Sequence, residues 1–167
     1  MIKEETPVKK DFCFSGSHFK TIDGKNQIVL PQDYRKDLEG EALKIIPWFD
    51  RSLAILPISV WRSFGNSINT LGYDPEARGT RMSFFGGSAS ASFDSAGRMQ
   101  IPPELQDRVR LTKEIVLVGD FDKILIMSIE RYKDMIHDDT TNLNKNFEGV
   151  LNKVMKVQYP SQEGITG

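Results

Sequence analysis

The chain has 167 residues, 39% of them hydrophobic and 27% charged, with 22 Lys and Arg against 23 Asp and Glu. This ordinary globular composition, with a formal charge of −1, excludes a disordered or fibrous chain and a protein that coats nucleic acid indiscriminately. No apolar run approaches the roughly 18 residues of a membrane span, the first ten residues lack a secretory signal's apolar stretch, and the single Cys13 suits a reducing compartment.

In chain order, a strand-like segment over 17–22 runs into the turn Asp23-Gly24-Lys25-Asn26. An alternating strand follows, with Ile28 and Leu30 on one face and Gln27 and Val29 on the other. Pro31 ends it and opens a helical turn. Strands are then predicted over 42–47 and 52–56, joined by a short turn carrying Phe49 and Asp50. Ile58, Trp61, Phe64, Ile68 and Leu71 form an amphipathic stripe, and Gly72 stops that helix. Asp74-Pro75-Glu76 starts another, with a cap, a proline in the first position and an acid in the first turn. The same order then recurs. It comprises a strand over 88–93, the turn Asp94-Ser95-Ala96-Gly97, and a strand with Met99 and Ile101 opposite Arg98 and Gln100. A helical turn follows Pro102, and strands over 114–118 and 124–128 flank a turn with Phe121. Residues 130–137 predict a helix. Leu143, Phe147, Val150, Leu151, Val154 and Met155 give a second stripe before a polar end over 161–167.

The recurrence is exact in spacing. Residues 14–34 and 85–105 align without gaps, so that Phe14, Gly16, Ser17, Asp23 and Pro31 each have a counterpart 71 positions later. Residues 48–53 echo 120–125 at an offset of 72. Two copies of one unit follow. The expected division is a flexible tail over 1–11, a first unit over 12–73, a connecting helix over 74–84, a second unit over 85–141, and a C-terminal helix and tail over 142–167.

Asp94-Ser95-Ala96-Gly97-Arg98-Met99-Gln100-Ile101-Pro102 resembles the D-x-x-G-R-hydrophobic-x-hydrophobic-P signature of the MraZ family, within the AbrB-like swapped-hairpin DNA-binding group. The duplication, the Asp74-Pro75 helix with Arg78 and Arg81, and Leu111-Thr112-Lys113-Glu114 followed by Val118-Gly119, Phe121 and Lys123 extend the resemblance over roughly residues 12–147. The first copy departs from it, with Asn26 for the glycine and Gln27 for the arginine. Conversely, Pro31 to Arg35 matches the P-x-x-x-R that follows the signature, whereas Gln106 replaces that arginine in the second copy. The resemblance implies an α+β fold of two tandem swapped-hairpin AbrB-like β-units forming a small barrel, with peripheral helices. It also implies a cytoplasmic, nucleoid-associated transcriptional regulator, usually a repressor. The target would be repeated promoter boxes upstream of the division and cell-wall gene cluster, bound as double-stranded DNA by a ring-shaped homo-oligomer.

The candidate DNA-facing residues are Arg98, Asp94, Gly97, Lys25, Asp23, Arg35 and Lys20. Arg98 follows Gly97 in a tight turn, and Asp94 across the loop is placed to orient its guanidinium, which reduces the entropy lost on binding. Residues 9–36 carry Lys9, Lys10, Lys20, Lys25, Arg35 and Lys36 against Asp11, Asp23 and Asp33, a balance of +3. Residues 78–98 carry Arg78, Arg81 and Arg98 against Asp94, a balance of +2. One subunit with so few cations binds weakly, so many linked copies are required. The plainer readings are an ion pair pinning the second turn, a first turn reduced to scaffold, and Arg35 as a solvated helix residue. Arg78 and Arg81 suit a subunit interface equally. Gly86-Gly87-Ser88 reads as close strand packing, Trp48, Trp61, Phe84, Phe85 and Phe93 as core or interface aromatics, and Cys13 as a buried or edge-strand residue. No catalytic constellation, metal set, cofactor, membrane or small-molecule substrate is expected. The rival classes are an oligomeric protein-interaction scaffold with weakened DNA binding and an antitoxin-like AbrB relative whose last helix occupies a toxin.

Overall fold

A computed structural model describes residues 10–158, apart from the side chains of residues 138–144 and 158. The expected tail over 1–11, Lys9, the Leu143 side chain and the polar end over 161–167 therefore lie almost wholly outside the described residues. The first unit forms β1 (Ser17–Thr21), β2 (Gln27–Val29), α1 (Gln32–Leu38), β3 (Leu43–Trp48), β4 (Ser52–Pro57) and α2 (Ile58–Asn69). After α3 (Pro75–Phe84), the second unit repeats the order as β5 (Ala89–Ala91), β6 (Arg98–Gln100), α4 (Pro103–Arg108), β7 (Glu114–Asp120) and β8 (Lys123–Ser128), followed by α5 (Ile129–Gln158).

Local chemistry sets these boundaries. Pro31 and Pro102 sit before α1 and α4 with φ of −56° and −55°, ending the strand and preparing the helical turn. Gly72 takes φ of +60° beyond α2, and the Asp74 carboxylate accepts from the Glu76 N–H at 2.8 Å to cap α3. Helix α2 stops before Leu71, which is left 60% exposed. The two helical stretches expected after residue 130 are one continuous helix, because the polar residues between the stripes include no proline or glycine that would break it.

Six strands form one antiparallel sheet in the order β1-β7-β8-β4-β3-β5. Replacing each strand by its repeat counterpart reverses the order, so the sheet has an approximate twofold between β4 and β8. Each unit's first strand pairs with the other unit's third, β1 with β7 and β5 with β3. The expected small barrel is corrected here. Among the described residues the sheet is open, with β1 and the three-residue β5 at its edges, because nothing pairs those edges to each other. Strands β2 and β6 form a separate two-stranded ribbon, one strand from each unit.

One core cluster gathers Ile28, Leu30, Met99 and Ile101 from the ribbon with Ile45, Ile55, Ile115 and Ile126 from the sheet. The opposite side of β3 and β4 presents Ile46, Ala54 and Leu56 to Phe84, with Trp61, Phe64 and Phe85 packed around them. The aromatic expectation holds there, with Phe84 buried and the others half-buried. Cys13 is exposed, contrary to expectation: its neighbours Phe12 and Phe14 turn inward, and alternation sends it outward. The chain divides into two compact bodies after Ile129. The second is helical from Glu130, with Phe147, Val150, Leu151, Val154 and Met155 exposed along it.

Candidate nucleic-acid interface

The two signature turns share one hydrogen-bond scheme. Asp23 Oδ1 accepts from the N–H of Lys25 at 2.8 Å and of Gln27 at 2.9 Å. Asp94 Oδ1 accepts from the N–H of Ala96 at 3.0 Å and of Arg98 at 2.9 Å. The backbone closes alike, with Asp23 N–H on Gln27 O and Asp94 N–H on Arg98 O. A short carboxylate is needed because it reaches two backbone donors at once while leaving the turn narrow. The third residue after each aspartate takes a left-handed conformation, φ of +60° at Asn26 and +81° at Gly97.

What lies over that left-handed residue differs between the copies. A Cβ placed on Gly97 would meet Arg35 Cδ at 2.7 Å and its Nε at 2.8 Å, so Arg35 from the first unit packs flat on the second unit's turn. The Nε of Arg35 is buried without a hydrogen-bond partner. In the first turn Asn26 has a side chain, and the residue above it is Gln106, whose Nε2 donates to Asn26 Oδ1 at 3.2 Å and to Ile101 O at 2.8 Å. The exchange of Gly for Asn and of Arg for Gln is therefore matched across the units. A bare turn takes the bulky guanidinium, and a turn with an amide takes another amide.

Arg98 Nε donates to Asp94 Oδ2 at 2.8 Å, and both side chains remain about half exposed. This bond, with the backbone donors, holds the Asp94 carboxyl below its ordinary range, and the carboxylate raises Arg98 in return. Asp23 adds a weaker attraction on Arg98 from the neighbouring turn. Nε is the tethered atom, and neither terminal nitrogen of the fork has a hydrogen-bond partner among the described residues.

Of the expected residues, Arg98, Asp94 and Gly97 are brought together in the second turn, and Asp23 and Lys25 in the first. Lys25 and Asp23 are exposed, and Arg35 is half-buried between α1 and Gly97. Lys20 is not in this group: it is half-buried on β1, opposite Ile115, in the large sheet. Sequence reasoning treated Gln106 as a lost cation and missed its bond to Asn26; two unlike substitutions in one repeated motif were the available signal. Elsewhere, Arg81 Nη1 donates to Gly72 O at 2.7 Å, while Arg78 is exposed on α3. Gly86 and Gly87 lie close to the carbonyl oxygens of Met82 and Ser83 at the end of α3, and a Cβ on Gly87 would also meet Arg108 and, at 3.2 Å, Pro47 of β3, so the close packing is against a helix end as well as a strand.

Comparison with known proteins agrees with the motif. The family described as "MraZ protein, putative antitoxin-like" matches residues 84–152. A protein named transcriptional regulator MraZ from Lachnoclostridium phytofermentans is 33% identical over 126 residues, covering 75% of this chain and 89% of its own length. Its namesake from Herpetosiphon aurantiacus is 32% identical over 124 residues, covering 74% and 86%. That from Leuconostoc mesenteroides is 28% identical over 139 residues, covering 83% and 96%. Two full repeats, the intact second signature and relatives above 30% identity aligned along most of their length place the chain in the MraZ family.

Proposed function

We propose that the chain is a sequence-specific DNA-binding transcriptional regulator, acting as a repressor through a ring-shaped homo-oligomer on repeated promoter boxes. The boxes would lie upstream of the division and cell-wall gene cluster. The observation that carries the reading is the Arg98 fork, tethered at Nε by Asp94 and fixed to a two-stranded ribbon made by both units. The name transcriptional regulator that the relatives carry supports it. In this reading the copies over 12–73 and 85–141 each act as one SpoVT/AbrB-like unit. Arg98 makes the main contact, Lys25 and Lys20 reach flanking phosphates, and Arg35 supports Gly97 from beneath and adds its charge. Self-association is favoured by Phe49 and Phe121, which are 60% and 68% exposed at hairpin turns. Phe121 also lines a groove of about 710 Å³ with Trp48 and Phe64.

The turns carry little net charge, since Asp23 and Asp94 offset Lys25 and Arg98. Affinity must then come from several linked subunits, which raise it by about 10²–10⁴ without new contacts. A gel shift with the gene's own upstream DNA tests the reading. Three tandem boxes should be bound far more tightly than one, and Arg98→Ala should weaken the shift strongly; equal shifts for both proteins would end the assignment. The neutral Gln27 and the packed Arg35 favour a second reading, an oligomeric scaffold with lost DNA binding, which predicts no shift by either protein.

A further inference from the structure

The outward face of the β2–β6 ribbon has a composition that the charge argument does not explain. Ile28 and Met99 pair across the ribbon and are 1% and 0% exposed, facing the core. On the other face Gln27 stands directly opposite Gln100, and Val29 directly opposite Arg98. Gln100 and Arg98 are exposed, Val29 is 44% exposed and Gln27 is half-buried. The ribbon is pinned at both ends, by Leu30 N–H on Gly97 O and Ile101 N–H on Asn26 O, both 2.8 Å. Ladder bonds at those positions leave the 27–100 and 29–98 rungs as the closer, non-hydrogen-bonded pairs. Neither glutamine amide has a hydrogen bond in the described structure, and the Arg98 fork keeps both terminal nitrogens.

Resting on the DNA-binding reading above, we propose that this face reads base edges in the major groove. Gln27 and Gln100 would be its adenine-specific elements and Arg98 its guanine-specific element. The physical fit has three parts. A two-stranded ribbon enters a groove about 12 Å wide, where glutamine pairs bidentately with adenine N6 and N7, arginine with guanine O6 and N7, and an apolar group meets the thymine methyl. Residues two apart on a strand are separated by about 6.6 Å, close to two base steps of about 3.4 Å each. The two rungs therefore address base pairs about two apart. Finally, unpaired amides on a rigid, nearly neutral ribbon add little phosphate attraction, so their contribution is discrimination and not general affinity. Replacement of the first copy's arginine by Gln27 then changes the sequence read by one hairpin without emptying it.

The test is selection from a duplex library with a random central segment, run with the full chain and variants in parallel. Wild type should enrich guanine and adenine about two base pairs apart. The double variant Gln27→Ala, Gln100→Ala should lose about 5- to 100-fold of the adenine preference while keeping the guanine preference and the salt dependence. Arg98→Ala should lose the guanine preference and lower the salt slope. The isosteric Gln100→Glu keeps the ribbon's shape and should exchange adenine for cytosine. Identical enrichment by wild type and both glutamine variants would overturn the proposal while leaving DNA binding intact. Absence of any enrichment by wild type would overturn the DNA-binding reading itself and this proposal with it.

Discussion

At the scale of single residues, Gly97 and Asn26 hold the same backbone position under different loads. Gly97 carries φ of +81° with Arg35 lying where a side chain would begin. Gly97→Ala should therefore cost about 1–3 kcal/mol from the left-handed conformation, with more from displacing Arg35, read as a lower urea midpoint. Asn26→Gly loses only the bond from Gln106 and gains backbone freedom suited to φ of +60°, so its change should stay within about 1 kcal/mol. The Asp94–Arg98 pair has a definite pH sense. Its carboxyl is held below the usual value of 3.8, so the pair's contribution is complete above that value and is lost as pH falls through the lowered one. DNA retention through Arg98 should thus be flat between about pH 5 and 8 as far as this pair is concerned. Following the Arg98 Nε–H resonance by NMR checks this: it should move only on stronger acidification, and Asp94→Asn should remove the step.

At the scale of elements, the ribbon is where the two repeats depend on each other. Met99 is fully buried in the cluster that joins the ribbon to the large sheet, so Met99→Ala should cost about 2–5 kcal/mol. Because β2 and β6 come from different units, that loss should lower one cooperative transition of the first body and not melt one repeat alone, which calorimetry would show. The strands themselves were legible in the sequence, since Arg98-Met99-Gln100-Ile101 alternates polar with apolar and Gln27-Ile28-Val29-Leu30 stands at the matching place before its proline, and both are local properties. Their partners were not, because nothing local says that β1 will lie on β7 or β5 on β3. The open sheet escaped for the same reason, since its edges depend on what pairs with them; the continuity of α5 and the outward Cys13 have local causes instead, a joining segment without proline or glycine and alternation against Phe12 and Phe14. Among the candidate site residues, the turn motif located Asp94, Gly97 and Arg98, while the seat of Arg35 on Gly97 joins residues 62 positions apart and has no signature in either segment.

At the scale of the whole molecule, the sheet's order and the lone Arg98 pull in different directions. The sheet's strand order is the same read from either end in repeat counterparts, yet the two hairpins show different chemistry to solvent, an arginine and a lysine-flanked glutamine. Substituting Gln27→Arg should therefore leave the melting temperature within a few degrees, because the position is on the ribbon's outer face, while raising the steepness of salt-dependent DNA dissociation by about one contact per subunit. A filter-binding series across ionic strength would measure it.

The strand exchange between repeats also bears on how such a protein is divided. A fragment holding only the latter copy would lack the neighbours that cover β5 and β6, but the twofold relation means an identical fragment carries surfaces of the required kind. Two such halves should find each other as a homodimer bearing a pair of arginine forks, so that joining the halves in one polypeptide frees one side to take up a different vocabulary.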